Sequence, residues 1–213
     1  DTAWCRSLPP GLSRDGTTEY QNVIRPHPRV TVLQRQQWNG KTEQVNACLS
    51  TFKHPGLLFQ MDADELWTAA QLESLVAFFE ARPDIRSARF FCRYFVGPNL
   101  VITSENTYGN KPGEWHRAWR FEPGKQFITH EPPRLEGQTD PCASREETRN
   151  AGLVFEHWAY ALPKQVQFKE SYYGYSDALR HWQKLQANTK WPARLADFLP
   201  WVKDDAIADT LYK

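Results

Sequence analysis

Apolar residues recur along the chain at two periods, and the period separates helices from strands. Between residues 68 and 83 the pattern is helical. Thr68 and Gln71 have the T-x-x-Q spacing of a capping box, Leu72, Leu75, Val76 and Phe79 follow at i, i+3, i+4 and i+7, and Pro83 closes the run. Residues 41–52 place Val45, Cys48 and Leu49 on one helical face before Pro55-Gly56 breaks the pattern. Phe168, Tyr172, Tyr175, Leu179 and Trp182 step by four and three. That stepping predicts an amphipathic helix from Gln165 onward, weakly interrupted at Gly174. A short helix is expected at 17–24 within the loop-rich residues 1–28, and residues 191–213 read as a helical, peripheral tail.

Other segments carry strand signals. Residues 29–35 (RVTVLQR) alternate around Val30 and Val32, and residues 57–61 form a short apolar run that predicts a buried strand ending in acid at Asp62. Residues 88–96 read as a strand, Gly97-Pro98-Asn99 as a turn, and 100–103 as the returning strand. Short pieces follow at 118–121 and 126–129, and a last strand at 153–160. Strand, helix, strand, helix, strand over 29–96 predicts an α/β fold with a mostly parallel sheet flanked by helices. In such sheets ligands bind beyond the carboxyl ends of strands, which directs attention to Asp62.

Composition narrows the function classes. The 213 residues suffice for one domain with a substantial core, and 40% hydrophobic with 24% charged residues is a globular balance. Lys+Arg 26 against Asp+Glu 25 leaves a net charge of +1, which argues against nucleic-acid binding by bulk charge. No apolar run is long enough to span a membrane, and the first residues show no signal-peptide pattern. Cys5, Cys48, Cys92 and Cys142 are widely spaced, without a CxxC pair, so reduced thiols in the cytoplasm are expected rather than a zinc site or a disulfide framework.

Asp62-Ala63-Asp64-Glu65 puts three carboxylates into four residues, between an apolar strand and a capped helix. Such a group repels itself unless positive charge sits among it. A hard divalent cation takes one or two carboxylates and fills its remaining positions with water and substrate phosphate. The pattern therefore points to Mn²⁺ or Mg²⁺ on a diphosphate; the alternative is a solvated loop favouring the following helix N-terminus.

Residues 59–66 (FQMDADEL) resemble the D-x-D segment of family 2 glycosyltransferases, which have the GT-A fold. Asp15-Gly16-Thr17 resembles the D-G-T segment of that family, and Gly40-Lys41 with Val45-Asn46-Ala47 resembles its G-K-x-x-x-x-N-x-A helix beside the nucleotide. Residues 130–135 (HEPPRL), 155–160 (FEHWAY) and 168–173 (FKESYY) resemble blocks of a bacterial subgroup. The ordered set covers about residues 13–175. One departure is plain: the first strand and N-terminal acids of the family should precede the D-G-T segment, where only residues 1–14 stand, so a fragment or an N-terminally abbreviated member is expected.

The resemblance implies a GT-A-like, Rossmann-type catalytic domain over 1–163 and a C-terminal helical extension over 164–213 packing on it. It implies a metal-dependent transferase moving a sugar from a nucleotide-diphosphate donor to a hydroxyl acceptor, with inversion, in bacterial surface glycan assembly in the cytoplasm. The alternative is a non-catalytic relative that binds a nucleotide-sugar or glycan. Asp62, Asp64 and His157 are the implied metal ligands, with a hydrogen-bonded core histidine as the other reading of His157. Asp15, Lys41, Asn46 and Asp62 are the implied nucleotide contacts, although Asp15 also suits a helix cap and Lys41 an ordinary surface lysine. Sugar transfer needs a base for the acceptor proton; Glu131 is the first candidate, then His130, then Glu105. Trp115, Trp119 and Arg120 are candidates for an acceptor wall, against core packing for the indoles.

Overall fold

The capping box at Thr68 forms as its spacing requires. The Gln71 amide N–H donates to Thr68 Oγ1 at 3.1 Å and the Thr68 N–H to Gln71 Oε1 at 2.9 Å. The helix they start, α3 (Ala69–Ala81), buries Leu75 and Phe79 and stops ahead of Pro83. The computed structural model in which this is seen describes residues 16–35, 38–137 and 140–211. Before α3 come α1 (Thr17–Ile24), α2 (Lys41–Leu49), β1 (Gly56–Phe59) and the two-residue β2 (Glu65–Leu66). After it come β3 (Ser87–Arg89), β4 (Phe91–Gly97), β5 (Leu100–Ile102), β6 (His116–Phe121), β7 (Phe127–His130), β8 (Pro133–Leu135) and β9 (Cys142–Ala143). The remainder is α4 (Arg145–Asn150), β10 (Val154–His157), α5 (Pro163–Tyr173), α6 (Ala178–Gln186), β11 (Ala193–Arg194) and β12 (Ile207–Thr210).

These elements build an α/β fold in which helices flank partly parallel sheets. One sheet has the order β1-β6-β3-β9, a second β11-β12-β5-β4-β10-β2, and β7 pairs with β8. Parallel pairing among the described residues is confined to β4 with β10 and β3 with β9, fewer pairs than a mostly parallel sheet would have. The chain passes from the first sheet to the second at Phe90, whose N–H donates to Trp115 O. The main core fills the space between α3, β4, β10, α6 and the C-terminal segment, with Phe90, Phe155, Leu153 and Leu185 at its centre. A second cluster of Leu49, Trp119, Phe121, Phe127 and Leu135 packs α2 against β6, β7 and β8.

Three expectations are corrected. Arg29 lies in a turn and residues 30–35 form no regular element; Val30 and Val32 are half-buried, but no strand of the described residues pairs with them, so the alternation yields no ladder. The helix from Gln165 is two helices: Gly174, at φ 74°, ends α5 in the left-handed region that favours glycine, and α6 starts after Asp177. Residues 191–211 are neither helical nor peripheral. Leu195, Leu199 and Val202 are buried at helix-like spacing, but Pro192 and Pro200 limit the helix to one 3₁₀ turn (Leu195–Asp197), and β12 joins the second sheet against β5. The run before Asp62 is a strand as expected, though only half-buried.

No helix among the described residues is long and apolar enough to cross a membrane. Cys48, Cys92 and Cys142 are free thiols. Cys5 lies outside the described residues.

Candidate active site

The acidic segment leaves β1 where the two sheets meet. Gln60 N–H still donates to Arg117 O of β6, and a turn then brings Glu65 N–H onto Asp62 O at 3.1 Å. Glu65 enters β2 opposite His157 at the end of β10, and Trp158 N–H donates to Asp64 O at 2.8 Å. Main-chain pairing therefore sets the spacing of the carboxylates.

The positive charge that three neighbouring acids require is Arg117. Its side chain is 4% exposed, against 0% for Glu65. Nε and Nη2 donate to Glu65 Oε1 at 2.9 and 2.6 Å, and Nη2 reaches Asp62 Oδ2 at 3.2 Å. The guanidinium also stacks 5.0 Å from the centre of the Trp115 ring. Lys41 Nζ meets the other Asp62 oxygen at 3.3 Å. Burial works against the Asp62 charge, but Arg117 and Lys41 outweigh it and hold the carboxyl below its ordinary range. Burial wins at Glu65, whose carboxyl is raised despite Arg117 and whose Oε2 has no hydrogen-bond partner.

His157 and Asp64 sit side by side, with Nε2 3.8 Å from Oδ2. Trp115 and Tyr94 wall the imidazole at ring separations of 4.8 and 5.0 Å. Its Nδ1 is buried without a partner, 4.0 Å from Glu65 Oε1. Burial, partly opposed by Asp64, lowers its pKa to about 4, so the ring is neutral at pH 7 and can donate a lone pair. Asp62, Asp64 and His157 thus converge, but they do not form a closed ligand set. Among the described residues no three His, Cys, Asp or Glu side chains are placed to hold a metal ion by themselves, and both Asp62 oxygens face cations. Asp64 with His157 suits a Mg²⁺ or Mn²⁺ ion that takes its other ligands from phosphate and water.

His130 ends β7, buried, with Nδ1 unpartnered. Burial and the nearby Lys41 lower its pKa to about 4 against the pull of Asp62, which places it on the Asp62 side of the site. Glu131 follows it, exposed at the tip of the β7–β8 hairpin, and its charge acts on Lys169 and Tyr175. Asn46 binds backbone: its Nδ2 donates to Phe127 O at 3.0 Å and its Oδ1 accepts from Phe127 N–H at 2.7 Å. That double bond fixes α2, with Lys41 at its start, against β7, with His130 at its end. Asp15 lies outside the described residues; the N-cap of α1 is Gly16.

Of the acceptor candidates only Trp115 is at the site. Trp119 is 0% exposed in the second core cluster and cannot wall a ligand. Arg120 caps α3, donating to the carbonyls of Phe79, Arg82 and Ile85. The sequence pattern behind this is alternation along β6: Arg117 and Trp119 share one side and Arg120 takes the other. Glu105 is exposed and ion-paired with Arg149, outside the cluster.

Lys169 is a site residue that sequence reasoning missed. It lies on α5, with its ammonium 5.0 Å from the Tyr160 ring centre and 5.5 Å from that of Tyr173. Burial lowers its pKa, and Asp64 pulls it back up, as do Glu131 and Asp62. The available signal was spacing: Lys169 stands three residues after buried Val166 and four before Tyr173, on the inward face of its helix. Arg117 had a signal too, since three clustered acids demand a buried cation and the alternation of β6 turns one inward.

A family model described as Glycosyl transferase family 2 matches residues 12–137. No curated protein and no solved structure matches the chain.

Proposed function

The chain belongs to glycosyl transferase family 2, and from that premise we propose that it moves a sugar from a nucleotide-diphosphate donor to a hydroxyl acceptor, with inversion. The observation that carries this reading is the charge arrangement at the end of β1: Lys41 and Arg117 on the two oxygens of Asp62, beside Asp64 and His157.

In this reading Asp62, aimed by its two cations, holds the nucleotide. Lys41, at the start of α2 where unpaired main-chain N–H groups also point outward, and Lys169 from α5 offer ammonium groups to the diphosphate. Asp64 and His157 would hold Mn²⁺ or Mg²⁺, which when bound supplies Lewis-acid charge to the leaving phosphate. Glu131, exposed on the α5 side, takes the acceptor proton, whereas His130 faces the donor side. The acceptor oxygen forms its bond to C1 as the bond from C1 to phosphate oxygen breaks. The electron pair leaves with the nucleotide diphosphate, and the proton passes to the Glu131 carboxylate. A single displacement from the opposite face inverts C1. Work in the cytoplasm on a bacterial surface glycan rests on the likeness of residues 130–135 and 155–160 to the bacterial subgroup.

Thermal unfolding with Mn²⁺ and each of a panel of nucleoside diphosphates tests this. A ligand at 100 times its Kd stabilises by about 2.7 kcal/mol. One nucleotide is expected to give that shift only with metal, and Asp64→Ala is expected to abolish it while leaving the apo protein folded, because the Asp64 side chain is 33% exposed. No shift with any nucleotide would overturn the reading in favour of a glycan-binding relative.

A further inference from the structure

His157 stands between two carboxylates. Asp64 Oδ2 lies 3.8 Å from its Nε2, and Glu65 Oε1 lies 4.0 Å from its Nδ1. We propose that Glu65 is a positioning residue of the metal site. Held by Arg117, it accepts the Nδ1 proton of His157 and so leaves the Nε2 lone pair, beside Asp64, to the ion; the assignment rests on the reading of Asp64 and His157 as the metal pair.

The two carboxylates differ in their access to water. The Asp64 side chain is 33% exposed and the Glu65 side chain 0%. The Nε2 edge of the ring therefore lies toward solvent, and the Nδ1 edge is sealed. An imidazole that ligates through one nitrogen carries its proton on the other, and that proton needs an acceptor. Nδ1 has no hydrogen-bond partner, and neither does Glu65 Oε2. Two buried polar atoms without partners thus belong to facing residues, and each supplies what the other lacks. Closing the 4.0 Å approach to hydrogen-bond length takes about 1 Å.

The sheet imposes this approach. Glu65 of β2 lies directly opposite His157 of β10 in the antiparallel register, and on the other side of β10 His157 lies opposite Tyr94 of β4. Directly opposed antiparallel residues put their side chains on one face, with Cβ atoms about 5 Å apart. Trp158 N–H, donating to Asp64 O at 2.8 Å, fixes the acidic turn against the end of β10. Trp115 and Tyr94 flank the ring at 4.8 and 5.0 Å and restrict its plane. Arg117 holds the far end: Nε and Nη2 both donate to Glu65 Oε1, at 2.9 and 2.6 Å, which leaves Oε2 unbonded. The carboxylate is anchored through one oxygen and keeps acceptor capacity for the histidine. An amide does not do both. With its oxygen on Arg117, its NH₂ group faces Nδ1 and demands the opposite tautomer.

Long-range ¹H–¹⁵N NMR of the imidazole nitrogens reads the tautomer on the metal-free full chain, with the His157 signals identified by their absence in His157→Gln. Wild type is expected to carry the proton on Nδ1. Glu65→Gln keeps the shape of the side chain and an acceptor for Arg117, and is expected to move the proton to Nε2. The Mn²⁺ concentration that gives half of the nucleotide thermal shift should then rise roughly tenfold or more. A merely structural role would lower the unfolding midpoint and move neither the tautomer nor the Mn²⁺ dependence. A proton on Nε2 in wild type, a tautomer unmoved by Glu65→Gln, or an unmoved Mn²⁺ dependence would each overturn the positioning role, and an intact wild-type nucleotide shift would leave the transferase reading standing. The wild-type tautomer is measured without any variant, so it decides the matter even where Glu65→Gln fails to fold. An Nδ1 proton that Glu65→Gln displaces, with no nucleotide shift in the presence of Mn²⁺, would overturn the metal role together with the transferase reading.

Discussion

Replacing Arg117 by methionine removes the cation from a nearly dry cluster. Two of its nitrogens lie 2.6 and 2.9 Å from one oxygen of a fully buried carboxylate. At the shorter distance and an effective dielectric near 20 the attraction is about 6 kcal/mol. The cost of drying both ions is of similar size, so the intact pair contributes little net stability. Breaking it is another matter, because Glu65 is then left buried and unpaired, with Oε2 already without a partner. Arg117→Met is expected to lose about 3–5 kcal/mol, a large part of the total stability of a domain. Urea unfolding followed by circular dichroism measures this as a lower midpoint at unchanged slope. Arg117→Met combined with Glu65→Met removes both charges and is expected to recover most of the loss. The double variant should still bind nucleotide more weakly, because Asp62 keeps Lys41 but loses its contact at 3.2 Å. A double variant no more stable than Arg117→Met would refute the reasoning and trace the cost to lost packing on Trp115.

Two further outcomes follow from the same geometry. His116, His130 and His157 are depressed by burial to about 3, 4 and 4, from an ordinary 6.5. The unfolded chain therefore binds more protons between pH 6.5 and 4: their contribution is full above 6.5 and is lost as pH falls toward 4. Each histidine adds a slope of up to about 1.4 kcal/mol per pH unit, so urea midpoints should drop between pH 7 and 5, and a flat profile would count against three neutral histidines. Asn46→Leu strips both partners from the Phe127 backbone and is expected to cost about 1–3 kcal/mol and to weaken nucleotide binding through Lys41. Full stability in that variant would show that α2 is held by its apolar face alone.

Much of the fold could be read from the sequence where a local device decides the outcome. The Thr68 capping box, the turn after Gly97 and the strand running into Asp62 each depend on neighbours within a few residues. The failures share a cause. Residues 29–35 carry the right alternation, yet a strand exists only with a partner, and pairing is a property of the whole chain. Leu195, Leu199 and Val202 do face the core, but prolines decide the backbone between them. At the site, the acids were legible as a cluster, and the need for a cation among them was too. Which cation could not be read, because Arg117 is 55 residues from Asp62 in sequence and only the β1–β6 register brings them together. Trp119 and Trp115 stand four residues apart and would share a side of a regular strand; the register shift between them where β6 pairs with β3 separates their fates, a distinction that composition cannot make.

The pairing of β5 with β12 also governs how the chain comes into being. Thr103 bonds Ile207 across 104 residues of sequence, and β5 joins β12 to β4 in one ladder. On a ribosome β4 and β5 form a hairpin early, and its open edge must then wait while the hairpin bearing Glu131, β10 and the two helices α5 and α6 are all made. Until β12 arrives, that edge is a row of unpaired main-chain groups able to recruit another chain. Contacts this distant slow folding. Synthesis at reduced temperature, or with a chaperone that shields strand edges, should therefore raise the yield of soluble protein more than any change near the acids.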